Sequence, residues 1–242
     1  MIDFIGTVLI AMTIAVVFTT VICTIPVRLS WRLAVAGVVG VWIGIAIAIV
    51  AAGMLANPAT LGVLFGFPLA ATAGLALAFP AMRSALLAIP VQLVIGLNVF
   101  RVIGVQFLVL ANVGRLAGPF PQSAGWGDIL VGALAVPVAM LAIRKPASDV
   151  RIQAWNALGI LDLVVAVTLG VVSANGSPMQ LIHAGVGSAA IQTLPWSLIP
   201  TVLVPFFLIN HSIVIAQARS RTSTLERTHA NESGLANAAT AR

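Results

Sequence analysis

Seven apolar stretches, most of them close to 20 residues long, follow one another along the first 217 residues of this chain. About 20 apolar residues in a helix cross the hydrocarbon core of a bilayer. A backbone within lipid must also satisfy its own hydrogen bonds, as a helix does. The sequence therefore predicts an all-α, polytopic integral membrane helix bundle with seven transmembrane helices. The predicted spans are 2–23, 33–53, 61–79, 85–113, 128–143, 154–173 and 196–217. The fifth is short unless it begins nearer Pro121.

The small number of charges supports this fold class. Hydrophobic residues make up 60% of the 242 residues and charged residues only 7%, whereas about a quarter of a soluble domain is charged. The pI near 11.6 would suit a nucleic-acid-binding protein, but the basic residues form no patch or run. We therefore expect no nucleic-acid partner and a lipid bilayer as the surroundings. The single cysteine, Cys23, excludes an internal disulfide and a multi-cysteine metal site.

The basic residues are unequally distributed between the two sides that seven spans define. One side has only Arg115, and the other side has ten basic residues: Arg28, Arg32, Arg83, Arg144, Lys145, Arg151, Arg219, Arg221, Arg227 and Arg242. Cytoplasmic loops carry the excess of Lys and Arg, so the N-terminus is predicted outside and the C-terminus in the cytoplasm. The predicted domains are a transmembrane domain, 1–217, and a disordered cytoplasmic tail, 218–242. The compact chain favours the cell membrane, specifically a bacterial inner membrane.

Two outer segments between predicted spans are long, 114–127 and 174–195. The first contains Gly118-Pro119-Phe120-Pro121, and its prolines are expected to exclude regular helix. The second contains no Lys, Arg, Asp or Glu. It has two interpretations, an ordinary extracytoplasmic loop or a re-entrant segment that dips into the bundle.

Small residues recur every four positions in the second predicted span, at Ala36, Gly40, Gly44 and Ala48. This spacing places them on one helix face and allows close approach of another backbone. The sequence favours packing within the bundle, with a homo-oligomer contact through this face as the alternative.

Three ionisable residues lie inside predicted spans, namely Arg101, Asp162 and His211. A charge at the bilayer centre costs about 2.5–3.5 kcal/mol on insertion scales, and nothing in the apolar background offsets that cost. A helical rise of about 1.5 Å per residue gives the three similar depths, so we expect Arg101 to pair with Asp162. Asp128 is expected nearer the outer end of its helix. The candidate site comprises Asn98, Arg101, Asp128, Asn156, Asp162 and His211.

Ionisable residues within a membrane often mark pathways for ions and protons. The leading interpretation is therefore transport or channelling of a proton or small polar solute, although a static ion pair would use the same residues. One alternative is a membrane-embedded enzyme with Asp128, Asp162 and His211 around a metal, and another is a non-catalytic scaffold subunit. The leading interpretation requires neither a metal nor a cofactor. The only lysine is in a loop, so no retinal Schiff base can form in the last span, and His211 alone cannot ligate a bis-histidine haem.

Overall fold

A computed structural model of the chain describes residues 1–220, and these residues contain no β-strand. Their helices are α1 (Ile2–Thr24), α2 (Leu29–Ala51), α3 (Pro58–Ala78), α4 (Pro80–Leu87), α5 (Val91–Asn112), α6 (Pro119–Arg144), α7 (Val150–Val172) and α8 (Ile199–Ser220). All except the short α4 are long and apolar enough to cross a membrane. The predictions of an all-α fold and of seven such helices are confirmed. The predicted orientation remains a prediction.

Helices α5 to α8 form the packed core of the bundle. Helix α6 lies between α5 and α7 and contacts both along much of its length. The most apolar part of α8 is 67% buried, and α1 packs along α5 and α8. The corresponding buried shares of α2 and α3 are only 11% and 6%. These two helices therefore lie at the periphery, and the polar residues of the other helices meet in the core.

The two ends of the core differ in charge. At one end, here named the basic end, Arg144 and Lys145 line a cavity together with Gln217. Gln217 Nε2 donates to the carbonyl oxygens of Leu87 (3.2 Å) and Ile89 (2.7 Å), which joins the end of α8 to the turn before α5.

At the opposite end, here named the Asp3 end, the carboxylate of Asp3 accepts hydrogen bonds from two groups. One is the guanidinium of Arg115, just after α5, and the other is Trp196 Nε1 at 2.8 Å, just before α8. Trp196 is fully buried and packs against Gly6 of α1. These contacts hold the start of α1 against the core.

The middle of α5 is wound more tightly than an α-helix. Residues Leu97–Gly104 form a 3₁₀-helix, in which side chains three residues apart eclipse one another. Asn98, Arg101 and Gly104 therefore share one face, and all three are buried. This winding directs a single polar stripe of α5 into the core.

Helix α6 begins earlier than the sequence predicted, and this corrects two expectations. It starts at Pro119, with Gly118 at the preceding position, so the prediction that Gly118–Pro121 excludes regular helix was wrong. Proline is tolerated in the first helical turn because the N–H groups there have no partner within the helix. The early start places Asp128 about 14 Å along α6 at 1.5 Å per residue. Asp128 consequently lies deeper than predicted, level with Arg101.

The second long segment packs against the bundle at the Asp3 end. Leu181 and Ile182 donate through their backbone N–H groups to the carbonyl of Val172, at 2.8 and 2.9 Å. Ser188 Oγ donates to the carbonyl of Gly170 at 2.6 Å, and most of residues 187–199 are buried. The second half of the segment is therefore packed against the bundle, whereas none of residues 175–186 is buried, and both interpretations of the segment stay predictions.

The small-residue face of α2 is not packed within the bundle. A Cβ atom added at Gly40 or Gly44 would have no described atom within 4 Å. The preference for intramolecular packing through this face was therefore wrong for these positions. At the other end of the chain, α8 continues to Ser220, and the rest of the predicted tail, 221–242, lies outside the described residues.

Candidate functional site

The guanidinium of Arg101 is the centre of the candidate site. Its Nε donates to Asp128 Oδ1 at 2.8 Å, and its Nη2 donates to Asp162 Oδ2. Its Nη1 donates to the carbonyl oxygen of Gly159 at 3.2 Å and lies 3.3 Å from His211 Nε2. The expected contact between Arg101 and Asp162 is present, and Asp128 is a second carboxylate partner. One arginine thus links α5 to α6, α7 and α8.

Glycines on the facing helices make room for both carboxylates. A Cβ atom at Gly104 of α5 would collide with the side chain of Asp128 on α6. In the same way, a Cβ atom at Gly127 of α6 would collide with the carboxylate of Asp162 on α7. Each aspartate therefore reaches Arg101 across a surface that only glycine leaves open. Neither glycine was predicted as part of the site, because the sequence does not show which helix face lies opposite which carboxylate.

His211 connects the guanidinium to a second polar group, Asn156. His211 Nδ1 lies 2.8 Å from Asn156 Oδ1, and Asn156 Nδ2 donates to the backbone carbonyl of His211 at 3.3 Å. An amide oxygen only accepts hydrogen bonds, so Nδ1 carries the hydrogen. Nε2 is then free to accept from Arg101 Nη1, which assigns the neutral Nδ1–H tautomer.

The packing around His211 leaves its ring little freedom. The ring of Trp155 lies against it with centroids 5.2 Å apart, and Trp155 Nε1 donates to the carbonyl of Val131 at 3.1 Å. One turn further along α7, a Cβ atom at Gly159 would collide with the imidazole. The orientation of the imidazole is thus set by α6 and α7.

The charges of the site do not balance when both carboxylates are ionised. One guanidinium then faces two carboxylates and a neutral imidazole, which leaves a formal charge of −1. The Arg101 side chain is 0% exposed, whereas those of Asp128 and Asp162 are each 10% exposed. Uncompensated charge in such surroundings is costly, and a proton on one carboxylate would remove it. The network therefore contains one more carboxylate than its single guanidinium neutralises.

Asn98 is the one predicted site residue that makes no hydrogen bond to the other five within residues 1–220. Its Nδ2 donates to the carbonyl of Val94 at 3.1 Å, and its Oδ1 has no partner among residues 1–220. It lies one turn of the 3₁₀-helix from Arg101, toward the basic end. The other five predicted residues, Arg101, Asp128, Asn156, Asp162 and His211, form one continuous hydrogen-bonded network.

In the metal-enzyme alternative, three residues were expected to surround a metal. In the structure they surround an arginine. Asp128, Asp162 and His211 each face the guanidinium of Arg101. Within residues 1–220, no three His, Cys, Asp or Glu side chains come together as a metal-binding group. The described geometry is that of an ion-pair network.

Comparison with known proteins places this network within a protein family. A family model described as a domain of unknown function (DUF8737) matches residues 58–219, about two thirds of the 242 residues. The chain belongs to this family. The DUF8737 region begins with α3 and ends one residue before the end of α8, so it includes Arg101 and all its partners. Helices α1 and α2 lie outside it. No curated protein and no solved structure matches the chain.

Proposed function

We propose that the chain is a transport protein of the cell membrane that moves a proton or small polar solute through the Arg101 network. One observation carries the proposal, namely that a single guanidinium is shared by two carboxylates in the middle of apolar helices. Ionisable groups in such surroundings are costly, and the formal charge of −1 creates a site for one proton. We therefore favour the proton as the species that is moved.

The shared arginine offers a way to couple proton binding to helix movement. When Asp162 binds a proton, its attraction to the guanidinium weakens, and Arg101 remains paired with Asp128. The contact between α5 and α7 is then weaker than the contact between α5 and α6. Loss of the proton restores the first contact, so protonation and helix position are linked. The neutral His211 accepts from Arg101 in either state, which supports the carboxylates as the titrating groups.

Proton flux into liposomes tests this proposal. Purified protein is reconstituted with a pH-sensitive dye inside the vesicles, and a potassium gradient with valinomycin sets the membrane potential. The native protein should acidify or alkalinise the lumen according to the sign of that potential. Asp162→Asn cannot exchange a proton and should reduce the rate of proton flux at least about tenfold. This corresponds to a barrier that is higher by about 1.4 kcal/mol.

Asp149→Asn is the matched control, because it makes the same chemical change outside the helices. Asp149 caps α7 by accepting from the Arg151 backbone N–H at 3.0 Å, and Asn caps helices equally well. Hydrogen bonds from Arg151 hold the pKa of the Asp149 carboxyl below its ordinary value, so it stays ionised near neutral pH. This variant should keep the native rate. Equal rates for native protein, Asp162→Asn and empty vesicles would contradict proton transport.

A scaffold subunit is the second candidate, and the open face of α2 favours it. Gly40 and Gly44 have open space beyond them, which suits close packing against another helix. A second copy of this chain is the simplest partner for such a face. In a Cys23→Ser background, Gly44→Cys should then cross-link in native membranes. Val38→Cys, exposed on another side of the same helix, should not, and equal cross-linking would contradict self-association through this face.

A further inference from the structure

The cavity at the basic end lies where three of the long helices end. Helix α5 begins at Val91, α6 ends at Arg144, and α8 runs to Ser220, the last described residue. All three helices contribute to the lining of the cavity, which has a volume of about 650 Å³. The hydrogen bonds of Gln217 join the end of α8 to the turn before α5 and so fix one wall. A cavity of this size is large enough for a small ligand or the polar part of a larger one.

The cavity has positive charge that no protein carboxylate neutralises. Arg144 and Lys145 line it, and the described lining residues include no Asp or Glu. Neither basic residue forms an ion pair within residues 1–220. Asp149, four residues after Lys145, is engaged by Arg151 instead, whose Nε and Nη2 each donate to its carboxylate at 3.1 Å. The side-chain amide of Gln92, also in the lining, offers a further hydrogen-bond donor.

These donors suit a phosphate group. A guanidinium donates to two phosphate oxygens at once, and an ammonium group adds a compact charge. The ends of membrane-spanning helices also lie at the depth of lipid headgroups, and basic pockets between such helices bind anionic headgroups. Both the charge of the cavity and its place in the fold therefore favour an anionic phosphate.

An exposed apolar stripe on α6 leads from the cavity toward the middle of the helix. Val136, Met140 and Ile143 are 49%, 65% and 69% exposed, and their spacing of four and three residues places them on one helix face. Ile143 also lines the cavity, so the stripe and the cavity are continuous. A soluble anion would use the cavity alone, whereas a lipid would use both surfaces. The continuity thus favours a lipid.

We propose that this cavity binds the headgroup of an anionic phospholipid, with the phosphate on Arg144 and Lys145 and an acyl chain along the α6 stripe. Gln92 donates to the remaining headgroup oxygens. The site is separate from the charged network, because Arg101 lies about 15 Å further along α5. Lipid binding here does not depend on the proposed transport.

Lipid binding to the purified full chain tests the site. Protein in detergent is titrated with phosphatidylglycerol or with phosphatidylcholine of the same acyl chains, and native mass spectrometry counts the bound lipids. The native protein should bind phosphatidylglycerol at least about tenfold more tightly, since two cations face its phosphate. Arg144→Gln/Lys145→Gln should lose this preference. Arg28→Gln/Arg83→Gln removes the same charge from exposed residues outside the lining and should keep it.

A second pair of variants fills the cavity without altering its charge. Ala88 is exposed and lines the cavity, so a bulky side chain there competes with the headgroup for space. Ala88→Trp should lose the preference for phosphatidylglycerol. Ala81→Trp, at an exposed position of α4 outside the lining, should retain it.

Three results would overturn the proposal. They are equal affinity of the native protein for the two lipids, equal loss of preference in the two double variants, and equal loss in the two tryptophan variants. Glycerol phosphate is the soluble competitor, and its displacement of phosphatidylglycerol at equal concentration would overturn the assignment to a lipid in favour of a free anion. Absence of proton flux in a protein with the expected lipid preference would count against the proposed transport alone.

Discussion

Arg101 is stabilised by sharing its charge among partners on three other helices. Four of its N–H groups point at Asp128 Oδ1, Asp162 Oδ2, the carbonyl of Gly159 and His211 Nε2. A buried ion pair adds little to stability by itself, but removing one member leaves the other charge unpaired. Loss of the arginine should therefore lower the stability of the fold more than loss of either aspartate.

Arg101→Leu should lower the free energy of unfolding by about 3–5 kcal/mol, because two buried carboxylates then face each other without a cation. Asp162→Asn should cost less, since Arg101 keeps Asp128. The triple variant Arg101→Leu/Asp128→Asn/Asp162→Asn should recover much of the loss. Denaturant unfolding in detergent measures all three. Arg115→Leu is the control, at an ion pair whose side chains are 34% and 55% exposed, and it should cost no more than about 1 kcal/mol.

If the effects of the Arg101, Asp128 and Asp162 substitutions simply add, these three residues do not interact.

The glycines that frame the site are expected to be as sensitive as its charged residues. A methyl group at Gly159 would collide with His211 and lie 3.2 Å from Arg101 Nη1, so Gly159→Ala should destabilise by about 1–3 kcal/mol through overpacking. Gly74→Ala is the matched control within α3, where the methyl group meets no described atom within 4 Å. Alanine is the better helix former by about 0.5–1 kcal/mol. The melting temperature should therefore fall for Gly159→Ala and rise for Gly74→Ala.

Two helices, α5 and α8, depart locally from α-helical winding. The 3₁₀-helical Leu97–Gly104 aligns Asn98 with Arg101, and a π-helical turn, Ile199–Leu203, opens α8 beside Pro200. Such turns are frequent at functional sites within helices. The segment between α7 and α8 is held by backbone hydrogen bonds. The space beside each of its glycines indicates how closely the segment packs there.

Gly187 and Gly176 form a natural pair for testing how firmly this segment packs. Both have left-handed backbone angles, with φ of 53° and 73°, which cost a non-glycine residue about 1–2 kcal/mol. A Cβ atom at Gly187 would also collide with the carbonyl of Ser173, whereas Gly176 has open space. Gly187→Ala should thus lower the melting temperature clearly more than Gly176→Ala. Equal shifts would mean that the segment does not pack tightly against α7.

At the scale of the whole molecule, orientation is the property that a reporter can test directly. Ten basic residues on one side against one on the other predict an external N-terminus and a cytoplasmic C-terminus. A phosphatase fused after residue 242 should be inactive and a fluorescent protein there should fluoresce, whereas a tag before Asp3 should be accessible from outside. Both ends on the same side would contradict seven membrane spans.

Much of the architecture follows from composition and periodicity alone. Apolar stretches near 20 residues predicted all seven long helices, because the hydrophobic pattern is local in sequence. The pairing of Arg101 with Asp162 was also predictable, since helical rise gives depth. The start of α6 was misjudged because proline was taken as a breaker, although its missing N–H is harmless at the first turn. That error placed Asp128 too shallow, so its pairing with Arg101 was not expected, although Asp128 was included in the predicted site.

The all-helical class, the seven apolar helices and the ionisable residues within them could be predicted from the chain alone, because they depend on local hydrophobicity and on spacing along one helix. Which residues contact one another depended on how the helices pack. The 3₁₀ winding of α5, the glycine surfaces at Gly104 and Gly127, and the unpacked face of α2 all depend on how helices lie against one another. Packing depends on two helix surfaces together, whereas a sequence pattern describes each helix surface separately.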